Sequence, residues 1–161
     1  YADQQRREFE LGDVVADQKS ALLPMGGAVS GVAGPNWLLV GDAAGCINPL
    51  NGEGIDYGLE TGRLAAEFIA GRRHDCSGWA DLLRHEYGEA FSIARRLAGI
   101  LTNAEFLRLA GPIGMRSRWT MEIALRLMGN LVTPADADWV AQVWRKSGRW
   151  SMAADQRPPF S

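Results

Sequence analysis

The chain has 161 residues, of which 47% are hydrophobic and 22% are charged, and its formal net charge is −2. A chain of this length can bury one sizeable core, and nothing in its overall charge indicates nucleic-acid binding. The two cysteines, Cys46 and Cys76, lack the spacing of a metal site or a disulfide framework, so we expect reduced thiols and no metal.

The first part of the chain predicts extended segments and a glycine-rich connection. Phe9–Val15 and Ala21–Met25 are short apolar runs separated by polar residues, which is typical of two extended segments. Glycines within Gly26–Pro35 then predict turns. Tyr1–Glu10 is polar and lacks the apolar core of a signal peptide. Because the sequence begins with Tyr1 rather than Met, and the first segment has no preceding partner strand, we expect a fragment or a trimmed chain.

A strand, a loop and a helix are predicted next. Trp37–Val40 is a compact apolar run, as expected for a strand that is buried on both faces. Gly45–Gly54 is rich in Gly, Pro and Asn and predicts a loop. In the helix that follows, Gly54–Ala70, the apolar residues expected on one face are Ile55, Leu59, Leu64, Ala65, Phe68 and Ile69. Glycine recurs every fourth residue from Gly54 to Gly62 and leaves one side bare, which indicates that a strand or a ligand packs closely there.

The remainder of the chain is predicted to be mainly helical. The apolar-rich segments with helical spacing are Trp79–Leu101, a piece broken at Gly111-Pro112, Ser117–Val132, and a final helix that ends near Ser147-Gly148. Thr133 is the expected N-cap of that final helix, with Pro134 at its first position. The tail, Ser151–Ser161, is expected to be a surface arm that Phe160 ties down.

The segment Gly41–Ile55 carries the residues from which chemistry is expected. It places a carboxylate, Asp42, at the carboxyl end of the predicted strand, where ligands of open α/β sheets bind. Such a carboxylate can accept hydrogen bonds from the hydroxyls of a sugar or ribityl chain. The glycines allow the backbone to approach a flat ligand, and the helix N-terminus beyond Gly54 offers unpaired N–H groups. Together these parts predict a cofactor cradle.

This segment resembles a known flavin-binding motif. Gly41-Asp42-Ala43-Ala44-Gly45, then Pro49, then Gly52-Glu53-Gly54-Ile55 is similar to the second flavin motif of the p-hydroxybenzoate hydroxylase-like FAD superfamily. The resemblance implies an FAD cofactor, with Asp42 on the ribityl chain, the loop from Pro49 against the ring, and the first N–H groups of the helix at the N1–C2=O edge. The implied cofactor-binding residues are Gly41, Asp42, Ala43, Pro49, Asn51, Gly52, Glu53, Gly54 and Ile55.

Within the superfamily, the motif resembles the geranylgeranyl reductase branch. Aromatic monooxygenases commonly have His at the position of Gly45 and Gly-Gln-Gly at Gly52–Gly54. The Gly-Glu-Gly-Ile form, followed by Tyr57-Gly58 and the small-residue stretch Thr61–Ala66, is similar to the reductases. The C-terminal stretches that resemble actinobacterial members, among which are menaquinone reductases, are Met128–Val132, Asp138–Val140 and Trp144-Arg145.

The resemblance implies the α/β (α+β) class: the C-terminal part of an FAD/NAD(P)-binding flavoprotein fold, with mixed-sheet strands followed by a mainly helical region. The implied parts are the end of a substrate-domain sheet (1–36), the C-terminal part of the FAD-binding domain (37–72), a helical region (73–150) and a tail (151–161). The family's Gly-x-Gly-x-x-Gly turn for the ADP half of FAD is missing, because Gly26–Gly31 has the wrong spacing. We therefore expect either a fragment without the N-terminal FAD-binding half or a chain that needs a partner.

The implied function is reduction of an isoprenoid double bond, in a geranylgeranyl or menaquinone side chain, by an FAD-dependent oxidoreductase. The substrate would be an isoprenoid lipid, and the electron donor NAD(P)H or another reductant. An unactivated alkene also needs a positioned proton donor, but no residue is assigned to a catalytic role. The alternatives are an FAD-dependent aromatic-type monooxygenase, and an inactive remnant or one chain of a split flavoprotein.

Several residues have a structural interpretation beside the functional one. Asp42 could cap a turn, although its neighbourhood favours flavin contact. Glu53 is interpreted as a favourable charge at the helix N-terminus, and alternatively as a proton source that faces the substrate. Cys46 is expected to be a small buried residue rather than a flavin contact. His74 and His85 lack partners at catalytic or ligand spacing and are expected on the surface.

The stretch Arg95–Arg126 is rich in arginine and in apolar residues. We interpret it as a helical subdomain with a basic exposed face, and the alternative is a surface that lies on an anionic membrane and admits an isoprenoid tail. No apolar run in the sequence reaches the roughly 18–20 residues that a membrane-spanning helix needs. We therefore expect a cytoplasmic protein, with peripheral contact at the inner face of the membrane as the alternative.

Overall fold

A computed structural model describes residues 4, 7–10, 21–72, 75–133 and 135–161 of the chain. Its regular elements are β1 (Ala33–Gly34), β2 (Trp37–Leu38), a 3-10 helix (Gly41–Ala44), α1 (Ile55–Arg72), α2 (Trp79–Leu101), α3 (Ala104–Arg116), α4 (Arg118–Met128) and α5 (Trp139–Ala153). The described chain is thus mostly helical with a small sheet before the helices. This order confirms the predicted class, in which strands precede a mainly helical C-terminal region.

The described strands form one antiparallel pair, with Ala33 opposite Leu38 and Gly34 opposite Trp37. The predicted strand at 37–40 is therefore shorter than expected. The prediction that it is buried on both faces is wrong, because Trp37 is 46% exposed and the next three residues are only partly buried. A two-stranded hairpin covers only one side of each strand, so its outer residues keep contact with solvent.

Neither of the two extended segments predicted nearer the start is seen as a strand in the described part of the chain. Phe9–Val15 lies mostly outside the described residues, and its first two residues lie in a turn. Ala21–Met25 is described and has no regular secondary structure. Its apolar residues have no partner strand in the described part of the chain. A short apolar run without a strand to pair with does not form a strand by itself.

The core lies where α1 and α2 meet the segment around Cys46. An aromatic cluster fills it: the ring of Tyr57 lies 5.2 Å from that of Phe91, which in turn lies 6.0 Å from that of Phe160. On α1 the buried face consists of Tyr57, Thr61 and Ala65. The predicted face is therefore partly wrong: Ile55 is 81% exposed, Leu59 is 73% exposed and Ile69 is also exposed.

Helices α2 and α5 pack closely along a polar seam. A β-carbon on Gly148 of α5 would lie 3.0 Å from the backbone oxygen of Glu89 on α2, so glycine allows this approach. Beside it, the buried hydroxyls of Ser92 and Ser151 share a hydrogen bond of 2.8 Å. Arg95 also pairs with Asp155 at 2.7 Å. These contacts fix α5 against the core.

Phe160 ties down the C-terminal tail, as predicted, but the prediction of a surface arm over 151–161 is partly wrong, because 151–153 belong to α5 and Pro159 and Phe160 are buried. Phe160 is fully buried, its backbone N–H donates to the oxygen of Gly27 at 2.9 Å, and its own oxygen accepts from Arg84 at 2.8 Å. A β-carbon on Gly27 would lie 2.8 Å from Pro159. The tail therefore packs on the glycine-rich segment and holds it in place.

The helices α3, α4 and α5 differ in their bounds from the sequence expectation. Helix α3 continues through Pro112 instead of breaking there, since proline removes only one hydrogen bond and the flanking turns retain theirs. Helix α4 ends at Met128, before the predicted Val132. The predicted N-cap at Thr133 is wrong: α5 begins at Trp139, with the Asp138 side chain accepting from the N–H of Ala141, and it continues to Ala153. Thr133 instead donates its N–H and hydroxyl to the Asp136 carboxylate.

Candidate functional site

The 3-10 helix is attached to α1 by a buried hydroxyl. The N–H of Gly41 donates to Thr61 Oγ1 at 2.9 Å, and that hydroxyl donates to the oxygen of Tyr57 at 2.6 Å. Gly41 has φ = 53°, in the left-handed region, and a β-carbon there would lie 3.2 Å from the Cα of Gly58. Glycine at 41 therefore allows the 3-10 helix to approach α1 closely. Side chains at Gly58 and Gly62 would meet nothing within 4 Å among the described residues, so of the three glycines on the predicted bare side only Gly54 has a close neighbour.

Asp42 lies beside the start of α1. A β-carbon on Gly54 would lie 2.7 Å from Asp42 Oδ1, so the carboxylate occupies the space that the missing side chain leaves. Asp42 and Ala43 are exposed, and no side chain or backbone N–H in the described part of the chain donates to the Asp42 carboxylate. The acceptor atoms of Asp42 thus remain available beside a helix N-terminus whose first N–H groups have no intrahelical partner.

The loop that joins the 3-10 helix to α1, residues 45–54, is closed by its own hydrogen bonds. The N–H of Asn48 donates to the oxygen of Glu53 at 2.8 Å, and the N–H of Gly52 donates back to the oxygen of Asn48 at 2.9 Å. The side chain of Asn48 also accepts from the N–H of Leu50 at 2.9 Å. Gly52 has φ = 77°, which glycine adopts without strain, and nothing lies near its missing side chain. At Gly52 the exposed rim of this loop is therefore bare backbone.

Asn51 connects this loop to the distant end of α4. Its Nδ2 donates to the backbone oxygen of Met128 at 2.7 Å and to Glu53 Oε2 at 3.3 Å, and its Oδ1 accepts from the N–H of Glu53 at 2.8 Å. Both amide protons are therefore engaged by the protein. The predicted contact of Asn51 with a cofactor stays a prediction, but the structure gives its side chain a task in joining two parts of the chain.

The residues behind the loop form a small cavity of about 10 Å³, room for about one water. It lies among Asn48, Leu50, Tyr57, Ala90, Phe91, Ala94, Leu127, Asn130, Val132 and Trp144. Burial, reinforced by the charges of Glu53 and Glu60, raises the pKa of Tyr57 to about 12. Tyr57 is therefore a neutral phenol at physiological pH.

Of the cysteines and histidines singled out in the sequence, those that the structure describes do not line the exposed site beside Asp42. Cys46 is fully buried, as predicted, and burial together with the charge of Asp42 raises the pKa of its thiol to about 12. Cys76 is buried, and His85 is exposed, whereas His74 lies outside the described residues. Across the described ranges, no group of three His, Cys, Asp or Glu side chains is placed to hold a metal ion.

The structure brings together most of the residues that the motif singled out. Gly41, Asp42 and Gly54 are in contact, and Gly52 and Glu53 belong to the same closed loop, while Ile55 projects outward from the first turn of α1. The motif alone did not single out Thr61, Asn48 or Arg95 for their supporting contacts. The side chains of Arg95 and Pro49 both approach Gly26, where a built β-carbon would lie 2.8 Å from Arg95 Cγ and 3.2 Å from Pro49 Cγ. One signal in the sequence could have identified Thr61, because it is a polar residue four positions after Tyr57 on an otherwise apolar helix face.

The chain is similar to proteins that are named as reductases. The menaquinone reductase of Mycolicibacterium smegmatis is 60% identical over 163 residues, which cover 100% of this chain and 40% of that protein. The menaquinone reductase of Mycobacterium tuberculosis is 59% identical over 162 residues, 100% of this chain and 39% of that protein. The chain therefore spans about two fifths of the length of the curated relatives it matches.

More distant similarity covers half of the chain. Digeranylgeranylglycerophospholipid reductase 3 of Methanosphaera stadtmanae is 34% identical over 88 residues, 50% of this chain and 22% of that protein. No protein-family model matches the chain. No solved structure matches it either.

Proposed function

Since the chain belongs to the geranylgeranyl reductase family, we propose that it forms one side of an FAD site in an oxidoreductase that reduces an isoprenoid double bond. The relatives are named for reducing menaquinone and digeranylgeranylglycerophospholipid, two lipids that carry isoprenoid chains. An isoprenoid side chain of that kind is the substrate class we propose. NAD(P)H or another reductant would supply the electrons.

The contact between Asp42 and Gly54 is the observation that carries this proposal. It places a carboxylate without a hydrogen-bond donor beside the N-terminus of an 18-residue helix, at an exposed point of the described chain. These two groups have opposite preferences: the carboxylate accepts from hydroxyl groups, and the helix N-terminus binds electron-rich or anionic oxygen. A ligand that offers both kinds of group within a short distance matches them, and the ribityl–flavin part of FAD does so.

Each residue of the site has a definite task in this proposal. Asp42 would accept hydrogen bonds from ribityl hydroxyls, and the N–H groups that follow Gly54 would donate to the carbonyl edge of the ring. The partial positive charge of the helix N-terminus would stabilise negative charge at that edge and so favour the reduced cofactor. Gly52 leaves the outer rim of the loop without a side chain, so that a flat ring can approach it. FAD, once reduced, supplies the hydride for the alkene.

Equilibrium binding of FAD, followed by flavin fluorescence, tests the site directly. Asp42→Asn keeps the shape of the side chain but removes its charge, and we expect it to weaken FAD binding by at least about tenfold, as for loss of charge-assisted hydrogen bonds. The matched control is Asp56→Asn, because Asp56 lies in the first turn of α1 on the face shared with Leu59, Glu60 and Arg63. Equal losses in the two variants would refute a specific role for Asp42, and no binding by the unaltered chain would favour a remnant or one chain of a split protein.

The reaction type is tested separately by anaerobic single turnover. FAD bound to the chain is reduced with dithionite and then mixed with menaquinone vesicles. The menaquinone reductase of Mycolicibacterium smegmatis is the positive control. Reoxidation of the flavin by the lipid without oxygen is the expected result, with a two-hydrogen mass increase that persists after the quinol is reoxidised, because reduction of the quinone ring alone also adds two hydrogens but is reversed. A requirement for oxygen would instead identify a monooxygenase.

A further inference from the structure

Helix α5 presents an aromatic and basic face to the outside of the described chain. Trp139, Val143, Lys146 and Trp150 follow one another at helical spacing and therefore share one side of the helix. Trp139 and Val143 are each 53% exposed, and Trp150 is 67% exposed. The opposite side of α5 is buried against α2, so the exposed face is held in a fixed orientation.

The charge on this helix has one sign. Its sequence contains Arg145, Lys146 and Arg149 and no acidic residue. Of the acidic side chains around it, Asp138 pairs with Arg126 at 2.6 Å and Asp155 with Arg95 at 2.7 Å, whereas Glu89, whose β-carbon lies 3.2 Å from one built on Gly148, forms no ion pair within the described residues. Asp136 also pairs with Arg126, at 3.3 Å, and Glu122 with Arg118 at 2.8 Å. Within the part of the chain that the structure describes, Lys146 and Arg149 form no ion pair, so their charge is available to an anionic partner.

The face continues onto neighbouring helices. The ring of Trp119 on α4, which is itself exposed, stacks on that of Trp139 with centroids 5.7 Å apart and planes inclined by 16°. At the other end, the guanidinium of Arg96 on α2 lies 5.9 Å from the ring of Trp150. We call the surface formed by Trp119, Trp139, Val143, Lys146, Arg149 and Trp150 the α5 face. It is wider than one helix and carries three exposed indoles.

We propose that the α5 face binds the headgroup region of an anionic phospholipid bilayer. Tryptophan favours the boundary between headgroups and acyl chains, where its ring is buried and its N–H stays hydrated. Lysine and arginine on the same face are attracted to anionic lipid headgroups. A helix with these two features lies in the plane of the interface rather than across it. None of the described helices is long and apolar enough to span a bilayer.

The α5 face fits this partner better than the arginine-rich stretch of α3 and α4. There, Arg108 pairs with Glu105 at 2.9 Å and Arg118 with Glu122 at 2.8 Å, so much of the positive charge is neutralised within each helix. The proposal rests on the composition and exposure of α5 and on its fixed attachment to α2. It does not depend on the flavin chemistry proposed above.

Vesicle sedimentation of the folded chain tests the proposal. We expect binding to vesicles with about a quarter phosphatidylglycerol, little binding to pure phosphatidylcholine, and weakening as salt rises above about 0.15 M. Replacing Lys146→Glu and Arg149→Glu together should lower the partition coefficient by at least about tenfold. Trp150→Ser should also lower it, and the blue shift of tryptophan fluorescence on vesicle addition should become smaller.

The matched control is Arg116→Glu on α3, which changes an exposed cation without touching α5. It should reduce partitioning by less than about twofold, and circular dichroism should show that all variants are folded. Equal binding to neutral and anionic vesicles, or an equal loss in Arg116→Glu, would overturn the proposal. So would a concentration-dependent dimer in sedimentation equilibrium that Trp150→Ser abolishes, since the face would then pair with a second copy.

Discussion

The Oδ1 atom of Asp42 lies 2.7 Å from the position that a β-carbon on Gly54 would occupy. The same β-carbon would lie 3.2 Å from Ile47 Cγ1. Gly54 is therefore not merely a flexible residue before a helix, because its missing side chain is what allows the carboxylate to sit over the first turn of α1. Any side chain at this position must move Asp42 away from the helix N-terminus.

We predict that Gly54→Ala weakens FAD binding by at least about tenfold, with a change in unfolding free energy of less than about 1 kcal/mol. The carboxylate is the end of an exposed side chain and can rotate away, so the fold tolerates the methyl group while the site loses its geometry. Flavin fluorescence titration and urea denaturation measure the two effects.

The control for this prediction is Gly62→Ala, two turns further along α1. Nothing lies near a β-carbon at that position, so the substitution should leave FAD binding unchanged and stabilise the helix by up to about 1 kcal/mol. If Gly54→Ala bound FAD as well as Gly62→Ala did, the contact with Asp42 would have no role in binding.

Asn51 should matter for the coupling between the loop and α4 rather than for the loop alone. Asn51→Ala removes the hydrogen bonds to Met128 and from the N–H of Glu53, and we expect it to destabilise the chain by about 1–2 kcal/mol. Hydrogen exchange should become faster both at residues 48–53 and at residues 128–132.

Asn51→Asp separates the two connections. The aspartate can still accept from the N–H of Glu53 but has no proton to donate to Met128. Faster exchange near Met128 with less change inside the loop is the expected pattern. Unaltered exchange near Met128 would mean that this hydrogen bond does not hold α4 in place.

The sequence was sufficient to predict that Asp42, the loop and the start of α1 lie together, because these parts are local. Asp42, the loop and the start of α1 lie within one short segment, so the order of strand end, glycine-rich loop and helix already places them together. The helix boundaries that failed could not be decided by composition alone. Thr133 has the composition of an N-cap, yet its donors go to Asp136, and Asp138 caps α5 instead.

The prediction of the buried face of α1 failed because that face depends on a distant contact. Hydrophobic spacing favoured Ile55 and Leu59, but the face that meets the 3-10 helix is occupied by Tyr57 and Thr61. The Thr61 hydroxyl is buried because it satisfies the N–H of Gly41, a partner 20 residues away that periodicity does not reveal. The sequence pattern therefore predicted the helix correctly, but it predicted only part of the face that the helix buries.

Thr61 is predicted to hold the 3-10 helix that carries Asp42. Thr61→Val keeps the shape of the side chain but leaves the buried N–H of Gly41 without an acceptor, which should cost about 1–3 kcal/mol of unfolding free energy. Thr61→Ser keeps the hydroxyl and should lose no more than about 1 kcal/mol. Urea denaturation of the two variants makes the comparison, and equal losses would assign the effect to packing rather than to the hydrogen bond.

The fully buried thiol of Cys46 should make the chain less stable at high pH. Its pKa rises from 9.0 to about 12 on folding, because burial and then the charge of Asp42 oppose the thiolate. Between these two values the unfolded chain releases the proton and the folded chain keeps it, so the free energy of unfolding must fall as pH rises. Tyr57 contributes in the same direction between 10.0 and about 12. Urea denaturation in steps from pH 8 to pH 11 should show this decline, and Cys46→Ala should make it shallower without removing it. An identical slope in the variant would mean that Cys46 ionises as readily in the folded chain as in the unfolded one, and the thiol would then react with Ellman's reagent without unfolding.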